Sequence, residues 1–377
     1  MTWNEALQDE LIESQTDLLR LAQSTADDLI AILDRTDAQI KALLLDLESS
    51  GAVTATQYAD IRAAQERIAQ LRAEVWGQLS IELQQRAQDI AVASQQGIMA
   101  AVLTASAGEI VPAVATSQSI IAIAASRPFE GRILSEWAES MQSADIARYR
   151  RAIQLGMVAG RNPRDIAREI HGVGGVRDQA RRNIEAVVRT ATNHIAAETQ
   201  ALFVAQNEWI KKERYTATLD SRTTLICASL DGQVFDANEG PRPPLHFNCR
   251  SRRIFAIDEK FLGLGSRPYS DATDAGAMRA YREAGSNGSF SKFRREYFRT
   301  RVGQVPASTT YSDWIKARSA SVQDDILGPA RGKLLRDGGL NIDQFTTDGG
   351  RKLTLAELQA KHAAAFKRAG INQPSTE

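Results

Sequence analysis

Leu7, Leu11, Leu18, Leu21, Leu29, Ile32, Leu33, Ile40, Leu43, Leu44 and Leu47 recur at short helical steps, which puts one apolar stripe on a long helix. Ser49-Ser50-Gly51 breaks the stripe. Tyr58, Ile61, Ile68, Leu71, Val75, Leu79 and Leu83 then repeat the pattern. The simplest product is an antiparallel, coiled-coil-like helical hairpin over residues 1–95, each helix burying its stripe on the other.

Gly97, Gly108 and Pro112 interrupt the helical pattern, and residues 96–128 read as an apolar helical connector of small side chains. Ile110, Val111, Val114, Ile120, Ile121 and Ile123 are too many to leave in water, so the connector is expected to pack on something else. From Phe129 the spacing of Ile133, Leu134, Trp137, Met141, Ile146, Tyr149, Ile153 and Met157 predicts helices up to Gly160. Asn162-Pro163 starts a short helix that Gly172 ends. Asp178 to Lys212 is then expected as one long helix with Ile184, Val187, Val188, Ala191 and Ile195 inward. Arg189, Thr190 and Asn193 fall within about one turn of each other on it, suited to hydrogen-bonding the carbonyls of a following loop.

The pattern changes at Arg214–Ile257. Tyr215, Ala217 and Leu219 alternate with threonines as in a short half-buried strand, and Gln233-Val234-Phe235 and 250–257 predict two more. Asp220 or Thr223 is expected to cap a short helical turn that carries Cys227 inward, and Asp231-Gly232 is a turn dipeptide. A proline-bent loop ending in Pro244 leads to His246 and Cys249. A module this small buries little apolar surface, so something besides core volume has to pin it.

Cys227, His246 and Cys249 are the candidate pins. A His-x-x-Cys pair with a third ligand upstream suits one tetrahedral zinc ion, Asp231 or water completing the set. A buried pair of free thiols, with His246 bonded to backbone, fits the same residues. So does a Cys227–Cys249 disulfide in an oxidising compartment.

Asp220-Ser-Arg222-Thr223, then Cys227, then Leu230-Asp231-Gly232, then Pro243-Pro244-x-His246-x-Asn248-Cys249-Arg250 resembles the phage Mu F-like family of head morphogenesis (minor capsid) proteins. Arg189-Thr190 and Asn193 resemble the helix that precedes this motif in the family. The likeness covers roughly residues 130 to 260. Family members frequently end the motif with Cys-Arg-Cys, where this chain has Ser251. The resemblance implies a protein made in few copies, resident in the virion near the portal, and needed for head assembly or for DNA packaging or ejection. The portal protein, the major capsid or scaffolding protein and packaged DNA are the partners it implies. A partner helix on the portal is also one use for part of the N-terminal stripe.

Composition fits this reading. In 377 residues, 43% are hydrophobic, 6% aromatic and 24% charged, which suits long helices, and the formal net charge is zero. The charge is uneven: residues 1–100 carry seven Lys/Arg against sixteen Asp/Glu, while 214–300 carry fourteen against ten. The first residues lack the basic head and apolar run of a secretory leader, and no run is long enough for a membrane span. Two cysteines fit a reducing host cytoplasm during assembly. In 261–377, Lys292, Arg294, Arg295, Arg299 and Arg301 interleave with Phe290, Phe293, Tyr297 and Phe298, the best nucleic-acid candidate in the chain. Short helices follow, the last begun at Thr354. The expected class is mainly α with a small α+β module: a hairpin (1–95), a connector (96–128), the motif domain (129–260) and a helical extension (261–377). The expected role is non-enzymatic. The alternative is a metal- or cysteine-dependent hydrolase, for example a nuclease, with Cys227 as nucleophile, His246 as base and Asp231 orienting it.

Overall fold

The computed structural model describes residues 3–46, 55–159, 161–256, 265–347 and 349–371. The N-terminal stripe forms α1 (Trp3–Asp34), with Leu7, Leu11, Leu18, Leu29 and Leu33 buried. It does not continue as one helix. The chain turns at Arg35-Thr36 and restarts as α2 (Asp37–Asp46), and the cause lies in the partner helix α3 (Ala55–Ala105). Arg72 donates to the Leu33 carbonyl at 3.0 Å and to the Thr36 hydroxyl at 3.2 Å, so a guanidinium satisfies a carbonyl that the end of α1 leaves free. Asp145 balances that charge: its Oδ2 accepts from Arg72 Nε and from Trp76 Nε1, both at 2.8 Å. The break expected at Ser49-Gly51 lies outside the described residues.

α3 runs antiparallel to α1, bringing Arg86 to Asp28 and Gly97 to Ser14. Gly97 does not interrupt the helix. A Cβ there would stand 2.7 Å from Ser14 Oγ, so the glycine marks a close approach of two long helices. An extended stretch, 109–116, and α4 (Ser117–Ser126) follow. Ile120 and Ala124 pack inward, whereas Val111 and Val114 remain 84% and 43% exposed.

Next come α5 (Leu134–Val158), α6 (Pro163–His171) and α7 (Val176–Gln206). Asn162 caps α6 by accepting from Arg164 N at 2.8 Å, Pro163 takes the first helical position, and Gly172 ends it. Leu29, Trp76, Leu79, Met141, Ile184, Val188 and Ile195 belong to one core drawn from α1, α3, α5 and α7. The hairpin stripe is therefore also the wall on which the later helices pack. α7 stops at Gln206, short of the expected Lys212. Asn207 terminates it by donating to Phe203 O at 2.7 Å and Ala113 O at 2.8 Å while accepting from Ala113 N, which clamps the 109–116 stretch to the helix end.

The module opens with β1 (Lys212–Thr216), the centre of an antiparallel sheet between β2 (Val234–Asp236) and β3 (Arg252–Phe255). The first strand thus begins earlier than the Tyr215–Leu219 alternation predicts, because α7 has already ended. α8 (Leu225–Leu230) carries Cys227 inward between β1 and β2. Beyond it, β4 (Ser266–Ser270) pairs with β5 (Val302–Pro306) around α9 (Asp274–Glu283) and α10 (Phe290–Arg299). A C-terminal lobe follows: α11 (Tyr311–Lys316), α12 (Ala320–Leu327), α13 (Pro329–Arg336), a 3-10 turn at Ile342–Phe345, α14 (Leu355–Lys361) and α15 (Ala363–Arg368). Thr354 caps α14 by accepting from Glu357 N at 3.2 Å. Trp314, Leu334, Phe345, Leu358 and Phe366 form the lobe's core, and Leu219 and Ala228 of the module are part of it. The fold is mainly α with a small α+β module. Among the described residues no helix is long and apolar enough to cross a membrane.

Candidate metal centre and motif joint

Three short segments bring the motif together. Cys227 enters from α8, and the turn after the proline loop presents His246 and Cys249. Cys227 Sγ lies 3.2 Å from His246 Nε2 and 3.7 Å from Cys249 Sγ, and the donor atoms of all three lie within 4.8 Å of one another. Both cysteines are 1% exposed. The Tyr215 hydroxyl donates to Cys227 Sγ at 3.2 Å, and the Ser251 hydroxyl also reaches that sulfur. Hydrogen bonding from Cys249, opposed by burial and helped by His246, holds the Cys227 thiol below its ordinary range. Cys249, turned toward Cys227, is pushed up, and the contact with Cys227 raises His246.

These donors fit a small thiophilic cation. His246 Nδ1 lies 2.8 Å from the Phe247 carbonyl, which fixes the ring with Nε2 aimed at the sulfurs. Two sulfurs and one imidazole make three of zinc's four ligands, and Ser251 rather than Asp231 stands beside them. Asp231 is committed elsewhere. Its carboxylate accepts from Ala217 N at 2.7 Å, Tyr311 N at 2.6 Å and Arg267 at 3.0 and 3.2 Å, and it is fully buried. It therefore neither completes a metal site nor orients His246, whose Nδ1 is taken by a backbone carbonyl.

Asp220 does not cap α8. Its Oδ1 accepts from Arg222 N at 3.0 Å, and Arg250 grips both oxygens at 2.5 and 2.8 Å. Burial works to raise this carboxyl, yet the Arg250 hydrogen bonds and charge outweigh it and hold the group below the usual range. Thr223 donates to the Thr218 carbonyl at 2.5 Å, closing the turn, and α8 starts after Thr224 with no side-chain cap. Arg222 stays 65% exposed with a loose 3.6 Å approach to Asp220. Gly232 takes φ +86°, where a Cβ would meet Thr310, and its N–H donates to Tyr215 O at 2.9 Å. Pro244 follows a cis Pro243–Pro244 bond, and Asn248 adopts φ +59°, which asparagine tolerates better than most residues.

The helix that precedes the motif anchors this turn. Thr190 Oγ1 accepts from Asn248 N at 2.9 Å, and Asn193 Nδ2 donates to the carbonyls of Cys249 at 3.0 Å and Ser251 at 3.2 Å. Arg189 points away, to Gln23 of α1 at 2.5 Å and Glu185 at 3.5 Å. Reading residue types missed several partners. Arg267 pairs with Asp231, and Glu213, 0% exposed in the central strand, takes Arg242 at 2.7 and 3.2 Å. Arg252, whose guanidinium burial pulls down to about 10, reaches Leu11 O at 3.1 Å, and Gln15 donates to Arg250 O at 2.5 Å. A charged residue inside a strand pattern, as at Glu213 and Arg252, was the available signal; nothing local marked Arg267.

The aromatic and basic residues of α10 are placed differently from a stacking platform. Phe290 and Phe293 lie edge-on to Tyr281 at 5.3 Å, Arg294 covers Phe298 at 4.7 Å and Arg301 covers Tyr297 at 4.4 Å. Arg294 pairs with Asp274 and Arg299 with Glu296, at 2.5 and 2.7 Å. Lys292 and Arg295 are exposed and enter no ion pair among the described residues.

Neither the curated proteins nor the solved structures gave a match to this chain. A family model does match: residues 147–254, which run from within α5 to within β3, fit the family described as Phage Mu protein F like protein. That range contains the turn, the thiol-imidazole centre and the helix that anchors them. Residues 147–254, under a third of the chain, thus carry a domain similar to Phage Mu protein F, a likeness that suggests a phage head morphogenesis protein.

Proposed function

We propose that this chain is a non-enzymatic minor capsid protein of a tailed phage or prophage head, present in few copies inside the capsid near the portal. There it acts in head assembly and in DNA packaging or ejection, after assembly in the host cytoplasm. The observation that carries this reading is how the motif side chains are used. Thr190, Asn193, Asp220, Asp231 and Arg250 bind backbone or one another, so the motif works as a joint between the helical bundle and the C-terminal lobe. A hydrolase would need His246 oriented by a carboxylate and an accessible nucleophile. His246 instead faces the Phe247 carbonyl, and Cys227 is buried. We also propose one structural zinc held by Cys227, His246 and Cys249.

The portal protein, with the major capsid or scaffolding protein, is the proposed contact, and packaged DNA a further one through the phosphate-binding side chains Lys292 and Arg295. Quantitative mass spectrometry of purified virions tests the placement. A few copies per particle, crosslinked to portal, support it, and absence from finished heads overturns it. Metal analysis of the purified protein should give about one zinc per chain. A DNA contact of this kind should weaken steeply with added salt and treat duplex and single strand alike, because the α10 rings are already engaged.

A further inference from the structure

The two sulfurs of the module lie 3.7 Å apart, on segments separated by the whole proline-bent loop. A disulfide needs about 2.05 Å, so the sulfurs have under about 2 Å to travel. The two segments are held by different partners. α8 hangs from β1 through Tyr215, and the Cys249 turn hangs from α7 through Thr190 and Asn193. His246 sits at the half-exposed edge of the cluster, and its Nε2, 3.2 Å from Cys227 Sγ, links the buried sulfur to that edge.

We propose that Cys227 and Cys249 are a redox-closing latch: in the metal-free centre a peroxide converts the two thiols into a disulfide that locks the turn covalently onto α8. In the first step the Cys227 sulfur attacks one peroxide oxygen, the O–O bond breaks, and the leaving hydroxide takes the thiol proton by way of His246 Nε2 to depart as water. In the second, the Cys249 sulfur attacks Cys227, the S–O bond breaks, the S–S bond forms, and a second water leaves with the Cys249 proton. Two electrons pass from the sulfurs to the peroxide. A disulfide has no thiolate left to donate, so zinc and the latch exclude each other at this centre. On the proposed function, the thiols stay reduced in the cytoplasm during head assembly and meet oxidants once a particle is released. This inference rests on the thiol geometry and not on the zinc proposal, which metal analysis of untreated protein settles separately.

The experiment uses the full chain, reduced, stripped with a chelator and exposed to hydrogen peroxide under native conditions. The expected result is a mass loss of about 2 Da, no cysteine alkylated after denaturation, and a Cys227–Cys249 linked peptide after proteolysis. Added Zn²⁺ should slow the loss. Thiols that both remain alkylatable, or oxygen added to one sulfur while the other stays free, would overturn the proposal.

Discussion

Asp231→Ala is the most informative perturbation of the joint. Its carboxylate is 0% exposed, its partner Arg267 is 7% exposed, and it ties together Ala217 after β1, Arg267 in β4 and the first residue of α11. Truncation leaves a guanidinium buried without a counter-charge and frees two backbone N–H groups. Breaking one side of a buried pair costs about 3–5 kcal/mol, so the variant should lose about 4 kcal/mol. Asp231→Asn keeps an acceptor but loses the charge, and should lose about 2 kcal/mol. Pairing Asp231→Ala with Arg267→Ala should cost less than the sum of the single changes by about 1–3 kcal/mol, because the second change removes the stranded charge. Denaturant unfolding followed by circular dichroism compares these four variants, the single Arg267→Ala included, with the parent. An Asp231→Ala protein within about 0.5 kcal/mol of the parent would refute the reasoning, since that is the range of an uninvolved surface change.

The two motif arginines should behave oppositely. Arg250→Ala, which strands the buried Asp220, should cost about 3 kcal/mol, while Arg222→Ala, at an exposed site, should stay within about 0.5 kcal/mol by the same unfolding assay. Because Asp220 titrates below its unfolded value of about 3.9, its contribution is full above that pH and is lost as pH falls through the folded value. The stability gap between the parent and Asp220→Asn should therefore shrink on acidification from neutral pH toward about 3, and a constant gap would count against the Arg250 pair. Gly97→Leu should destabilise by about 1–3 kcal/mol by forcing α1 from α3 at Ser14, seen as a lower unfolding midpoint. Deleting residues 1–100 should yield insoluble protein, because Leu7 and Leu11 pack with Phe203, Ile254 and Phe255; a soluble, folded remainder would show the hairpin to be dispensable.

What the sequence displayed locally, it displayed well. The α1 stripe, the Asn162-Pro163 start of α6 and the Thr354 cap are each read from neighbouring residues, and the structure has them. The spacing of Cys227, His246 and Cys249 likewise pointed to a cluster that the fold brings within 4.8 Å. What stayed hidden depends on partners far along the chain. The turn after α1 is made by Arg72, the end of α7 by Asn207 reaching Ala113, and the duty of Asp231 is set by Arg267 and Tyr311. Gly97 misleads for the same reason, since the residue it accommodates is Ser14 on another helix. A residue's type gives its capacity to bond, and only the fold decides which partner uses it.

Native-state hydrogen exchange reports most directly on whether the motif is a structural joint. The amide protons of Ala217, Asn248 and Tyr311, bound by Asp231 and Thr190, should exchange only as slowly as the slowest amides of α3 and α7, that is, through global unfolding. Fast exchange at these three positions while α3 and α7 remain protected would mean that the turn opens on its own and does not hold the bundle to the C-terminal lobe.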